Sequence, residues 1–339
     1  MSRIAIVGGG YTGASAAVQL TGASDADVTI VEPRAQLGCG VAYSTSDPDH
    51  RLNGPLENHI VDPARPGDLR DWCAKTRVLE RDPQALAANG AIYLRRGDFG
   101  QHVADAVAAR SSRIRHWRCR ATALRTAGRD WKIATSDGNT LTANAVVIAT
   151  GVGGFRLPAL FANIGPHAAL VHDPFDAGRL RAISATARVL LVGAGLTALD
   201  VLSTLLRQGH TEPMLAISRH GIRPRLPRAR LGEADVATLL AKIDGEVPDH
   251  VRGAVSAKSV LALSRALRKR IRDAAAEGVD WQVPFDDVRN VVWQFWPQLP
   301  LAERQRFLRH LRVFYEAHRF RAPPQNDLLV REGERQGRV

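Results

Sequence analysis

The same folding phrase occurs twice in this chain. Residues 3–20, RIAIVGGGYTGASAAVQL, run an apolar stretch through a glycine turn into a second stretch rich in small residues. Residues 188–207, RVLLVGAGLTALDVLSTLLR, do the same. A short apolar run, a glycine turn and a helical period together read as strand–turn–helix, the unit of parallel, doubly wound sheets. Each copy is followed by another short strand pattern, DVTIVE at 27–32 and MLAISR at 214–219. The predicted fold is therefore α/β, with two Rossmann-like dinucleotide-binding domains of the three-layer β/β/α type. A length of 339 residues suits two domains, placed at 1–182 and 183–339.

The first phrase predicts a helix over Thr12–Leu20, packed closely on its sheet through alanines. Residues 121–151 change character: short segments alternate around a glycine turn at 128 and an Asp-Gly turn at 137–138, then end in AVVIATG, read as a buried strand. This predicts a small β-meander feeding back into the sheet. A connector rich in Pro, Gly and His spans 152–184. In the second domain Gly209 stands where a helix C-cap is expected. From about 230 to 320 the pattern is helical, with apolar positions at Leu261, Leu263, Leu267 and Ile271. Phe307, Leu311, Phe314 and His318 repeat on one helical face and are read as core.

Composition narrows the function. The net charge is +12, but 41 of the 46 basic residues are Arg and they are spread along the chain. The densest run, RHGIRPRLPRAR at 219–230, has no interleaved aromatics for base stacking. The charge therefore favours anionic small molecules over nucleic acid. Cys39, Cys73 and Cys119 form no CxxC and no metal-ligand cluster, which excludes a disulfide framework, a metal site and a dithiol redox centre. The chain enters a strand directly, without a secretory leader, and no apolar run approaches the roughly 18 residues of a membrane span. A cytoplasmic protein without membrane attachment is expected.

The two glycine turns carry the chemistry. Gly8, Gly10 and Gly13 satisfy G-x-G-x-x-G: the first permits the tight turn, the second admits a pyrophosphate to the backbone, and the third lets the helix approach the sheet. The helix N-terminus then offers unpaired N–H groups to phosphate oxygens. Glu32 lies 19 residues beyond Gly13, where a carboxylate can accept from ribose hydroxyls. The second turn has Gly193, Gly195 and Ala198, Ala being tolerated at the packing position. No acid follows at the matching distance. Ser218 and Arg219 stand there instead, a pair that would welcome a 2′-phosphate, so this site reads as NADP(H). One fixed flavin and one mobile nicotinamide nucleotide on one chain imply hydride transfer between them. GCGVAYS at 38–44 and ATG at 149–151 fall where further flexible backbone, including Gly40 and Gly151, would adjoin the first site.

GGGYTG, VEPRAQLGCGVAYST, DHRLNGPLENHIVD, DPFDAG, VLLVGAGLTALDVLSTLLRQGH, AISRHGIRPR and WPQLPLAERQRFLRHLRVFYEAHRFRAPP resemble the FAD/NAD(P)-binding flavoprotein family that includes FAD-dependent urate hydroxylase-like proteins. The resemblance implies FAD at the first site, with Gly8, Gly10, Gly13, Glu32 and Arg34 as contacts, and NADPH at the second. It places HRLN (50–53) towards the flavin ring, with His50 and Asn53 as candidates to hydrogen-bond it. This chain has LNGPL where the family has LNVPA. Family members also run on past the helical segment and return to close over the flavin, whereas this chain ends at LLVREGERQGRV. A shortened member is expected, or one completed by a second copy or a partner subunit.

These readings converge on an NADPH-dependent FAD oxidoreductase, monooxygenase-like, acting on a small molecule. A flavin-dependent disulfide reductase needs a neighbouring cysteine pair that the sequence lacks. A dinucleotide-binding or NADPH-sensing module without full catalysis is the alternative.

Overall fold

The computed structural model describes residues 2–151, 153–161, 163–164, 167–228 and 245–339. The chain divides into two compact units. The first comprises Met1–Ala85, Tyr93–Ala187 and Arg207–His210; the second comprises Leu86–Ile92, Arg188–Leu206 and Thr211–Val339.

The first unit is built on a parallel sheet of β1 (Arg3–Val7), β2 (Asp27–Val31), β3 (Ile114–Trp117) and β7 (Ala145–Ile148), in the order β3-β2-β1-β7. Ala5 and Ile6 of β1 are fully buried, as an apolar run in a central strand requires. Helices α1 (Tyr11–Ala23) and α4 (Arg96–Ala108) pack together, α1 lying on β2. Ala14, Ala17 and Val18 of α1 are buried, and their small side chains allow the close approach. An antiparallel meander of β4 (Ala121–Ala127), β5 (Asp130–Thr135) and β6 (Thr140–Ala143) covers the sheet's other face. Ile133 and Ala143 pack there on Ala5, flanked by Val7, Leu124, Trp131 and Val146. The three-layer β/β/α arrangement is the predicted one. Gly128 and Gly138 take the positive φ of the meander's turns, at +64° and +81°.

Two short helices, α2 (Asp68–Lys75) and α3 (Val78–Arg81), fill the β2–α4 connection. The connector after β7 contributes α5 (Ala177–Arg181), whose N-cap Asp176 accepts the Arg179 N–H at 3.0 Å.

In the second unit β8 (Val189–Val192) pairs in parallel with β9 (Met214–Ile217), joined by α6 (Leu196–Arg207). Gly209 ends α6 at φ +84°, the expected cap conformation. The helices that follow are α7 (Asp249–Ser256), α8 (Val260–Ala276), α9 (Gln282–Phe295), α10 (Leu301–His310), α11 (Arg312–Arg319) and α12 (Pro324–Arg335). Ser259 caps α8 by accepting the Ala262 N–H, and Gly278 follows its end at φ +72°. Asn326 of α12 donates to Ser203 of α6 at 3.2 Å, and Gly333 brings α12 against Leu206. Residues 229–244, the start of the predicted helical region and the end of the arginine-rich run, lie outside the described residues.

The strand AVVIATG, expected to be buried, carries an open position, and so do both strands of the second unit. Ile148 is 67% exposed, Leu190 56% and Leu215 62%. β7 pairs only with β1, and β8 only with β9, among the described residues. Periodicity records an apolar run but not whether a neighbour lies beyond it. Among the described residues no helix is long and apolar enough to cross a membrane.

Candidate functional site

In the first unit three backbone segments meet at the end of β1. The Gly8 N–H bonds Val31 O at 3.0 Å and turns the chain at φ +105°. A Cβ at Gly8 would lie 2.2 Å from Ala149 O, so the ATG segment can pack there only against a glycine. At Gly13 a Cβ would lie 1.9 Å from Gly8 O, which brings α1 into contact with the turn itself. Gly10 begins α1 in extended conformation, without a side chain capping it. Gly40 (φ +54°) stands over it, its missing Cβ 3.1 Å from Gly10 Cα. Gly151, two residues beyond Ala149, takes φ +71°, with nothing within 4 Å of its missing Cβ.

Glu32 is buried at the end of β2 and braces this cradle. Its Oε2 accepts the Gly9 N–H at 2.8 Å, and its Oε1 accepts the Arg34 N–H at 3.0 Å. The Arg34 guanidinium lies 3.6 Å from Oε1 and is half exposed. A carboxylate oxygen has two acceptor sites, so each retains one for a further donor. Bare Cα atoms at Gly10 and Gly40, an uncapped helix start and an anchored carboxylate together fit the diphosphate and ribose of a dinucleotide.

An aromatic wall adjoins the glycines. Tyr11, the first residue of α1, meets Tyr43 edge-on at 5.7 Å, and both pack on Phe99, at 5.5 and 4.9 Å. Tyr11 and Tyr43 were visible beside their glycines in the sequence. Phe99, from a segment without any motif, was not.

The second turn repeats two backbone bonds of the first. The Gly193 N–H reaches Ile217 O at 2.7 Å with φ +129°, as Gly8 reaches Val31 O. The Leu199 N–H donates to Gly195 O at 3.2 Å, as Ala14 donates to Gly10 O at 2.9 Å. Ala198 takes the place of Gly13 within α6. Since Ile217 matches Val31, Ser218 occupies the position of Glu32. Its hydroxyl accepts the Gly221 N–H at 3.0 Å, and the exposed Arg219 follows it.

His50 is 2% exposed. Its Nδ1 pairs with Thr45 Oγ1 at 2.9 Å and its ring meets Phe175 edge-on at 5.7 Å. Burial pushes its pKa down to about 4, so the imidazole is neutral. Asn53 is half buried. Between them Arg51 forms a two-pronged buried pair with Asp82, at 2.8 and 3.0 Å, and donates to Tyr93 O. The three cysteines are all buried and free, and burial raises the Cys73 thiol to about 12.

The stripe read as core is placed otherwise. Leu311 separates α10 from α11, and Phe307, Leu311, Phe314 and His318 line a cavity of ≈ 740 Å³ in the second unit. A helical repeat cannot show that the opposing surface stands away.

Residues 5–153 match the FAD-NAD(P)-binding family. No curated protein matches the chain in sequence. Similar solved structures include the reduced form of ornithine hydroxylase from Pseudomonas aeruginosa, with TM-score 0.51 and 14% identity over 74% of this chain. The chain spans 63% of that protein's length. Ornithine N-hydroxylase from Kutzneria sp. 744, in a structure with reduced FAD, NADP⁺ and L-ornithine, has TM-score 0.51 and 16% identity, covering 83% of this chain and 70% of its own. At these identities the likeness is one of fold, and it agrees with the Rossmann-like architecture described above.

Proposed function

We propose that the chain is an NADPH-dependent FAD oxidoreductase of monooxygenase type. The observation that carries this reading is the pair of turns with the same backbone wiring and opposite chemistry at one position: Glu32 in the first, Ser218 followed by Arg219 in the second. Gly8, Gly10, Gly13, Gly40 and Gly151 would hold the FAD diphosphate, and Glu32 would take the ribose hydroxyls, with Arg34 alongside. Gly193, Gly195 and Ala198 would seat NADPH, with Ser218 and Arg219 on its 2′-phosphate. When bound, FAD supplies the hydride acceptor and the route for electrons to O₂. The chain's own contribution is binding and orientation. The anchored Glu32 sets the ribose, and the Tyr11–Tyr43–Phe99 wall excludes water beside the cradle. The finer urate hydroxylase-like resemblance, a cytoplasmic location and association into oligomers belong to the same proposal.

The test is flavin absorbance of the purified protein, followed by NADPH and NADH oxidation under air. Bound FAD and a preference for NADPH that Arg219→Gln reduces about tenfold or more are the expected results. A protein that stays colourless after incubation with FAD overturns the proposal. If NADPH alone raises the melting temperature and is not oxidised, the nucleotide-sensing reading takes its place.

A further inference from the structure

We propose that the helical cavity of the second unit binds an amphipathic monocarboxylic acid, with its apolar body between the helices and its carboxylate on Arg225. Leu263, Leu267 and Ile271 of α8 face Phe285, Val292 and Phe295 of α9 across ≈ 740 Å³, a volume in the range of small-molecule sites. A cavity of this size and lining is wetted only at a cost, and an apolar body filling it recovers that cost.

A polar cavity adjoins it. Arg225 and Trp281 belong at once to the apolar cavity and to a neighbouring polar one of ≈ 570 Å³. Arg225 is a built feature: its N–H donates to Ala317 O and its C=O accepts from Ala322, both at 2.9 Å. Gln282, 3% exposed, clamps the same segment, accepting the Arg228 N–H and donating to Leu226 O, each at 2.9 Å. Pro224 and Pro227 stiffen it further. The guanidinium is therefore presented by a fixed backbone.

Charge selects the head group. Among the groups lining the polar cavity, Arg331 is paired with Asp327 and Arg223 with Glu334. Arg321 and Arg289, nearby, share Asp286. Arg225 and Arg228 have no carboxylate partner among the described residues, and Arg228 Nη1 is buried without a hydrogen bond. Among the described residues of the lining Asp280 is the one acid left against them, so one positive charge remains over there. A single carboxylate balances it and matches the guanidinium fork. Along the apolar wall Arg268 also lacks a carboxylate partner among the described residues.

This proposal concerns binding and stands apart from the flavin reading, because every residue it uses lies in the second unit. It is tested by calorimetric titration of the full chain, without cofactors, with dodecanoate, dodecanol and dodecyltrimethylammonium below their micellar concentrations. Dodecanoate is expected to bind at least tenfold more tightly than dodecanol, and the cation more weakly than either. Arg225→Gln should weaken dodecanoate about tenfold or more and leave dodecanol within about twofold, which also shows the variant folded. Leu267→Trp should abolish both, and Ile271→Trp carries the same test if Leu267→Trp lowers the melting temperature. Equal binding of acid and alcohol, an unchanged dodecanoate affinity in Arg225→Gln, or dodecanoate binding retained in the cavity-filled variant overturns the proposal.

Discussion

The side chain of Glu32 holds the backbone of Gly9: Oε2 accepts that N–H at 2.8 Å, across 23 residues of sequence. The acid that ends β2 thus shapes the turn that ends β1, before any ligand is considered. Glu32→Ala should cost about 1–3 kcal/mol of stability, through the buried N–H groups left without acceptors. It should also weaken FAD at least tenfold. Chemical denaturation of the FAD-free protein reads the first effect, and flavin titration reads the second. Glu32→Ala with unchanged FAD affinity would remove Glu32 from the cofactor site.

The glycines of the first turn separate into those that build the fold and those that leave room for a ligand. A Cβ at position 13 meets Gly8 O at 1.9 Å, whereas one at position 10 meets only Gly40 Cα at 3.5 Å, an ordinary contact. Gly13→Ala should therefore lower the melting temperature without ligand present. Gly10→Ala should keep that temperature within a few degrees yet lose FAD. Equal melting temperatures for the two variants would contradict this division.

Arg51 and Asp82 are about as buried as ion pairs become, with side chains 3% and 2% exposed. Arg95 also reaches Asp82, at 3.1 Å. Removing one partner strands a charge, so Asp82→Ala should destabilise the protein by about 3–5 kcal/mol. Denaturant midpoints measure this, and a loss below about 1 kcal/mol would show that water reaches the pair.

Acid should weaken the first unit. Burial, with smaller contributions from Arg96 and Arg207, pushes His50 down to about 4, against the opposing pull of Asp47. Burial also lowers His59 and His102. A histidine held neutral when folded is protonated more readily when unfolded. Its contribution is complete above pH of about 6.5 and is lost as pH falls towards 4, up to about 3 kcal/mol for His50. Melting temperatures should decline from pH 7 to 5, and His50→Asn should flatten the decline. A profile unchanged by that substitution would assign the slope to other groups.

Much of this was legible in sequence because it is local. Gly8 and Gly193 follow apolar strands, and no residue but glycine adopts their φ easily, so each turn could be recognised from a few neighbours. The meander was legible for the same reason, through Gly128 and the Asp-Gly turn at 137–138. The setting of His50 was not: only the fold shows Thr45 and Phe175 against its ring. Nor was the setting of Phe307, Leu311, Phe314 and His318, which periodicity assigns to a face without saying what the face meets.

The sequence by itself determined the two strand–turn–helix units, the position of each glycine and the contrast of Glu32 with Ser218 and Arg219, all properties of short stretches with their own conformational preferences. Tertiary structure alone decided that Glu32 braces the opposite turn, that Arg51 meets Asp82, and that the C-terminal helices line a cavity together with Arg225. Each of these joins residues far apart in the chain. Their proximity is settled by how whole elements pack, and no local pattern carries that information.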